Sequence, residues 1–423
     1  MKQLRAGLVI LGGVFACAQL WAEAIPVRVI EQDGKFTLHR DGEPYFIKGV
    51  GGTSMFELLA ETGGNSLRTW GSPDYDKAFL DRAHEADLSV AIGMWVDHER
   101  HGFDYSDDAV VRDQIERHCK IIDKYKDHPA VLLWGIGNEV ELQSKNPRVW
   151  DVIEAVAAYA KKVDPNHPTM TVIAQSKHAI EMVRDRCPSV DILGLNSYGG
   201  IKDLSEEVRK AGWEKPYIVT EWGVNGSWEV GKTSWGASLE PTSTQKAQIW
   251  RDRHDFISGD SNRSLGGYAF YWGSKQETTP TWFGAFLEDG SRTELVESLQ
   301  ESWTGSLPEI KAPKIKEYRL NGKRPDSSVV MRSGKTAEAS FKIKGGFCES
   351  MRTSWDLAPE STMTGIGGDR EDRPDSVSLS ILADKGDRLR FVVPEQAGQY
   401  RLFLYVYGED DTVATANFPF LVK

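Results

Sequence analysis

The chain has 423 residues, 40% of them hydrophobic and 27% charged, which is enough to bury a large core plus a smaller module and is too apolar for a disordered protein. Its formal net charge of −11 makes nucleic acid and other polyanions poor partners and suits a neutral or cationic ligand better.

Lys2 and Arg5 precede an apolar stretch over residues 6–21 and then Ala22-Glu23-Ala24, the charged, apolar and small-x-small regions of a secretory signal. The stretch is shorter than the roughly 20 residues a spanning helix needs. Residues 1–24 are therefore expected to be an export signal with no stable membrane insertion, and the periplasm or the extracellular space is the expected location. Val14-Phe15-Ala16-Cys17 is a distant relative of a lipoprotein cleavage box, which keeps a lipid anchor on Cys17 as the alternative. Past the signal only Cys119, Cys187 and Cys348 remain, an odd and widely spaced set that excludes a dense disulfide framework and a cysteine-based zinc site. One disulfide is compatible with the set, with no pairing legible.

Residues 36–49 alternate around Asp41-Gly42 and read as a hairpin leading into a first strand. Strands are then expected at residues 46–50, 66–70, 89–95, 131–135, 170–174, 192–195, 217–220 and 266–272. Helical patterns lie between them, as at 74–87, 108–126, 148–163 and 245–257. Eight strands alternating with helices have the size and period of a (β/α)8 TIM barrel. A doubly wound sheet shares the alternation, but Gly49-Val-Gly-Gly52 lacks dinucleotide-loop spacing, so the strand count decides for the barrel. The domain reading is a barrel with its hairpin over residues 25–305, a linker over 306–316, and a small all-β, immunoglobulin-like sandwich over 317–423. Its strands are expected at 339–343, 377–382, 388–393, 400–406 and 414–422.

Two segments end apolar runs with a glutamate: Trp134-Gly-Ile-Gly-Asn-Glu139 and Tyr217-Ile-Val-Thr-Glu-Trp-Gly223. Val131 to Trp134 has no polar alternation and reads as a strand buried on both faces, which delivers Glu139 to the C-terminal rim, where barrel active sites are built. Two carboxyl groups on one rim are what retaining glycoside cleavage requires, one as acid/base and one as nucleophile. For a lone Asn-Glu pair a surface ion pair is the ordinary explanation; two matching contexts favour catalysis.

Four ordered motifs sharpen this reading: residues 124–139 ending in Trp134-Gly-Ile-Gly-Asn-Glu139, Asp164-Pro-Asn-His-Pro168, Asp191-Ile-Leu-Gly-Leu-Asn-Ser-Tyr198, and residues 215–223. Over residues 36–305 the chain resembles the catalytic barrel of glycoside hydrolase family 2, in clan A of the retaining glycosidases, without that family's amino-terminal sandwich domains. Asn65-Ser-Leu-Arg-Thr-Trp70 also resembles the second strand of barrel mannanases, so a family 5-like endo-glycanase is a related reading. The resemblance implies that Glu139 is the general acid/base and Glu221 the nucleophile. It places Arg68 and Tyr198 beside Glu221, Asn138 on the sugar 2-hydroxyl, and Trp272 as an aromatic floor. Arg68 and Tyr198 have structural alternatives, a salt bridge and core packing.

Within Asp97-His98-Glu99-Arg100, an otherwise solvated loop, His98 is the candidate for binding sugar hydroxyls. His98 and His101 lack a third metal ligand, so no metal and no cofactor are expected. Glu141 is read as a loop salt bridge. Among 14 Trp and 13 Tyr, a minority are expected to stack on sugar rings, with Trp95, Trp222, Trp235 and Trp282 as candidate walls. The loops at 53–62, 98–108 and 223–245 are expected to shape the cleft. No Gly-x-Ser-x-Gly elbow or catalytic cysteine context occurs, which removes acyl transfer. The reading is an exported retaining β-glycoside hydrolase acting on a β-linked polysaccharide or oligosaccharide. A transglycosylase with the same site, and a non-catalytic carbohydrate-binding barrel, are the alternatives. The sandwich either binds polymer or protein, or packs on the barrel; oligomeric state is not legible.

Overall fold

A computed structural model describes residues 23–362 and 365–423. The export signal and the lipid-anchor alternative on Cys17 lie outside the described residues, apart from Glu23 and Ala24. The chain opens with an antiparallel sheet of β1 (Val27–Gln32), β2 (Lys35–Arg40) and β3 (Glu43–Pro44), in which Asp41 and Gly42 turn the β2–β3 hairpin at φ 54° and 81°.

Eight parallel strands then close into a barrel: β4 (Ile47–Gly51), β5 (Ser66–Arg68), β6 (Ser89–Met94), β7 (Val131–Asn138), β8 (Thr169–Ala174), β9 (Ile192–Asn196), β10 (Tyr217–Trp222) and β11 (Ser264–Ala269). A helix follows each in turn: α1 (Phe56–Glu61), α2 (Lys77–Glu85), α3 (Asp108–Tyr125), α4 (Arg148–Val163), α5 (Lys177–Arg186), α6 (Leu204–Lys210), α7 (Ser243–Gly259) and α8 (Glu294–Thr304). Every residue of β6, β7 and β10 is buried, as expected of parallel strands covered on both faces. Several helices are capped by side chains: Asp107 caps α3, and Thr242 with Gln245 forms a capping box on α7.

The opening sheet closes the bottom of the barrel. Val27 and Leu38 pack in one apolar cluster with Ile47, Leu132, Ile192 and Ile218. The backbone N–H groups of Val27 and Phe36 donate to Asn166 and Asn262, which precede β8 and β11. The Asp164-Pro-Asn-His-Pro168 motif also works at this end: Asp164 Oδ2 accepts from Trp134 Nε1 at 2.7 Å and lies 2.8 Å from His167 Nδ1. With the lower end sealed, the opposite rim is free for chemistry.

The remaining strands are β12 (Ile315–Leu320), β13 (Val330–Met331), β14 (Thr336–Ile343), β15 (Arg352–Pro359), β16 (Ser380–Asp384), β17 (Arg388–Val392), β18 (Gly398–Tyr407) and β19 (Val413–Val422). They form two four-stranded sheets, ordered β12-β14-β17-β16 and β13-β19-β18-β15, over a shared core that includes Phe341, Phe391, Leu404 and Phe418. Sequence reading missed β12, β13 and β15. In β12 and β15 charged residues interrupt the apolar pattern, and β13 is only two residues long.

The β18–β19 face rests on the barrel. Arg401 Nη2 donates to the Ser238 carbonyl at 2.9 Å, and the Thr415 N–H donates to Ser243 Oγ at 2.9 Å. The three cysteines among the described residues form no disulfide with one another. No described helix is long and apolar enough to cross a membrane.

Candidate active site

Glu139 follows β7 directly. Gly137 turns the strand end at φ 79°, where a β-carbon would fall 3.1 Å from Val140 and 3.5 Å from Val96. Glu139 itself sits at φ 48°, a left-handed conformation costing on the order of 1–3 kcal/mol for a non-glycine residue and typical of functional sites. Asn196, the last residue of β9, holds its carboxyl: Nδ2 donates to Glu139 Oε1 at 3.0 Å and to Asn138 Oδ1 at 3.2 Å. Thr220 Oγ1 donates to Asn196 Oδ1 at 2.8 Å, which orients that amide.

Glu221, near the end of β10, meets three donors. Arg68 Nη1 and Trp70 Nε1 each reach Oε1 at 2.9 Å, and the Tyr198 hydroxyl reaches Oε2 at 2.9 Å. Arg68 also donates Nη2 to Asn138 Oδ1 at 2.6 Å and lies over the Trp70 ring. Both glutamates line one cavity of about 590 Å³ at the C-terminal rim. Ala174, Gln175, Ser197 and Tyr198 contribute from the β8 and β9 ends, and Trp228, Phe270 and Glu277 from the loops after β10 and β11.

The two carboxyls have opposite surroundings. Burial, and then the charge of Glu221, push Glu139 up to about 7, against the Asn196 hydrogen bond and the Arg68 and Arg100 charges. Glu221 instead has a buried guanidinium and an indole N–H on one carboxyl oxygen and a phenol hydroxyl on the other. Burial, with the Glu221 charge beside it, raises Tyr198 well above its ordinary range, so its hydroxyl remains a donor. A carboxyl raised by burial beside a second carboxyl held by a cation and two donors is the arrangement a general acid and a nucleophile require.

Residues 56–281, more than half of the chain, match the description "Glycosyl hydrolases family 2, TIM barrel domain". The chain belongs to glycosyl hydrolase family 2. Among curated relatives of this family 2 barrel, a probable mannan endo-1,4-beta-mannosidase F of Aspergillus flavus is 21% identical over 190 residues, covering 37% of this chain and 39% of the relative. A beta-glucuronidase of Pongo abelii is 30% identical over 79 residues, 19% of this chain and 11% of the relative. The solved beta-glucuronidase of Bacteroides uniformis superposes with a TM-score of 0.52 at 15% identity, over 94% of this chain and 48% of that one. The chain thus spans less than half the length of these relatives, and the structural match concerns the fold.

In this family 2 barrel the structure brings Glu139, Glu221, Arg68, Asn138 and Tyr198 together, and it does not bring His98 or Trp272 to the cavity. His98 is 1% exposed and stacks between Trp95 at 4.7 Å and His101 at 5.4 Å; burial pushes it down to about 4. Trp272 is 1% exposed, donates Nε1 to the Ser54 carbonyl, and meets Phe286 edge-on. Both lie in the loops just past β6 and β11 and are turned into packing.

None of Trp95, Trp222, Trp235 and Trp282 lines the cavity; Trp228, 62% exposed and edge-on to Tyr198, does. Glu141 makes no salt bridge among the described residues: Oε1 accepts from the Ala174 N–H at 2.7 Å, and burial raises its carboxyl to about 8. Trp70 and Asn196 are functional candidates that sequence reasoning did not single out, although both lie inside the quoted motifs. Among the described residues no group of three His, Cys, Asp or Glu has metal-holding geometry.

Proposed function

We propose that this family 2 glycosyl hydrolase cleaves a β-linked oligosaccharide or polysaccharide with retention of configuration. The carrying observation is the asymmetry of the pair: Glu221 bonded to Arg68, Trp70 and Tyr198, and Glu139 raised to about 7 in the same cavity. Glu221 attacks the anomeric carbon, and the glycosidic bond breaks as Glu139 gives its proton to the departing oxygen. Glu139, now a carboxylate, takes a proton from water; the oxygen of that water displaces Glu221, and the sugar leaves with its original configuration. Asn138 Oδ1 is taken by Arg68 and Asn196, which leaves its NH2 to donate to the sugar 2-hydroxyl.

Glu139, Glu207, Glu221, Glu229 and Glu277 line the cavity, and no described lysine or arginine does. That charge balance supports a neutral sugar, as in the mannan of the Aspergillus relative's name, over a uronate. We also propose export directed by residues 1–24, which amino-terminal sequencing of the mature protein checks.

The test is a panel of 4-nitrophenyl β-glycosides followed by a 2-deoxy-2-fluoro analogue of the accepted sugar. A covalent adduct on the peptide carrying Glu221, and a β-configured first product by NMR, are expected. An α-configured first product, or an adduct on a different residue, overturns the assignment.

A further inference from the structure

The segment joining β15 to β16 belongs by chain position to the sandwich, yet Gly365, Ile366, Gly367 and Gly368 form part of the catalytic cavity wall. It is anchored on both banks of the rim. On the bank after β6, Arg100 Nη2 reaches Asp369 Oδ1 at 3.2 Å and His101 Nε2 lies 3.0 Å from the same oxygen. On the bank after β11, Lys275 Nζ donates to the Gly368 carbonyl at 3.1 Å, and the Thr278 N–H donates to Glu371 Oε2 at 2.6 Å. Glu371, 7% exposed, also accepts from the Gly365 N–H at 2.8 Å, which ties the segment to itself.

Between these anchors the backbone passes directly beside the candidate acid. A β-carbon at Gly367 would fall 2.9 Å from Glu139 Oε2, 3.0 Å from Arg100 Nη2 and 3.1 Å from Leu142 Cδ1, and Gly367 holds φ +60°. Glycine takes that conformation without strain and leaves room for that approach.

A polymer cleaved internally must run through the cleft past both carboxyls and out at each end. Here a length of backbone, pinned to the β6 and β11 loops, forms part of the cavity wall beside Glu139. The cavity wall away from this segment is formed by residues such as Gln175, Gly200 and Trp228, from the β8 to β10 side. We propose that residues 365–371 are a specificity-determining strap by which the sandwich closes one end of the cleft, so that the enzyme removes units from chain ends. The sandwich is then part of the active site rather than an appended module. The proposal rests on the glycosidase reading above. Burial is the main cause of the raised Glu139 carboxyl, and the strap contributes part of the covering that keeps water from it.

The test uses the full chain with β-glucan, β-mannan and β-galactan hexasaccharides labelled at the reducing end, and the corresponding polymers. Wild type is expected to release a terminal product from the first time points, with little loss of polymer viscosity. Asp369→Ala with Glu371→Ala, and separately replacement of residues 365–371 by three glycines, are expected to raise the ratio of internal to terminal cuts about tenfold or more. The alkaline limb of kcat/KM is expected to move to lower pH as water reaches Glu139 in both variants.

Melting temperature and circular dichroism separate loss of the strap from loss of the fold, and the double substitution changes only side chains. Internal cutting by wild type, or an unchanged cutting pattern in two folded strap variants, overturns the strap while leaving the glycosidase reading intact. Failure to turn over any aryl glycoside or hexasaccharide overturns both.

Discussion

Arg68 and Glu221 meet at 2.9 Å with side chains only 3% and 9% exposed. The same guanidinium holds Asn138, so one cation fixes the position of the candidate nucleophile and the orientation of the amide beside the candidate acid. Removing one partner of a buried pair leaves the other uncompensated, a loss of about 3–5 kcal/mol. Arg68→Ala is therefore expected to lower the urea midpoint by that equivalent and to reduce kcat on the accepted aryl glycoside by roughly 100-fold or more. Arg68→Lys keeps the charge but cannot serve both partners with a planar fork, and is expected to fall between the two. Unchanged kcat in Arg68→Ala would remove this residue from the reaction.

The pH profile follows from Glu139. The acid must be protonated in the first step, so kcat/KM is expected to fall as pH rises through about 7, the value to which burial and Glu221 push this carboxyl. Stability carries the same sign. A carboxyl raised in the folded state binds its proton more tightly there than in the unfolded chain, so its contribution weakens as pH rises from the ordinary carboxylate range through about 7. Glu139→Gln is expected to abolish the alkaline limb along with most turnover, and to melt above wild type at pH 8 but not at pH 5. A melting difference independent of pH would contradict the assigned titration.

Asn196 separates positioning from bulk packing. Its hydrogen bond to Glu139 works against the burial that raises this carboxyl, and Thr220 fixes the amide that makes it. Asn196→Ala is expected to lower kcat roughly 10- to 100-fold, as loss of one oriented polar contact in a catalytic site does. The alkaline limb is expected to move to higher pH, opposite to the shift expected on opening the strap. Asn196→Asp restores an oxygen but not the donor and is not expected to rescue turnover. Turnover and pH profile unchanged in Asn196→Ala would leave Glu139 without a positioning partner in β9.

The barrel was legible because its signals are local. β7 is apolar without alternation up to the Gly137 turn at its end, and its register carries Glu139 to the rim whatever the loops do. Glu221 is reached by the same reasoning along β10. A strand pattern does not report how a side chain turns at the strand end, which is why His98 and Trp272 were candidates and proved to be packed, while Trp70 and Asn196 were passed over. The strap was illegible for a different reason. Gly365 to Arg373 is rich in glycine and charge and reads as a solvated turn. Its partners Arg100 and His101 lie more than 260 positions upstream, a pairing that only the docking of the sandwich creates.

That docking is itself testable, because charged groups are buried between the two parts. Glu240, in the loop after β10, receives Lys246 Nζ from α7, with both side chains 1% exposed, and also Asn417 Nδ2 from β19. Arg401 of β18 pairs with Glu360 at 2.6 Å, donates to Asn417 Oδ1 at 2.6 Å, and reaches the barrel at the Ser238 carbonyl. Hydrogen bonds from Thr279 and Thr281 complete the shell around Glu240, so the interface is satisfied only when assembled. Lys246→Met is expected to destabilise the protein by about 3–5 kcal/mol, because Glu240 stays buried without its cation. A chain ending at Leu307 is expected to be insoluble, since it exposes this shell and the apolar surface beneath β18 and β19. Calorimetry of the full chain is expected to show one cooperative transition, shifted as a whole by Lys246→Met. Two separated transitions, together with a soluble truncated barrel that turns over aryl glycosides, would instead identify the sandwich as a detachable module.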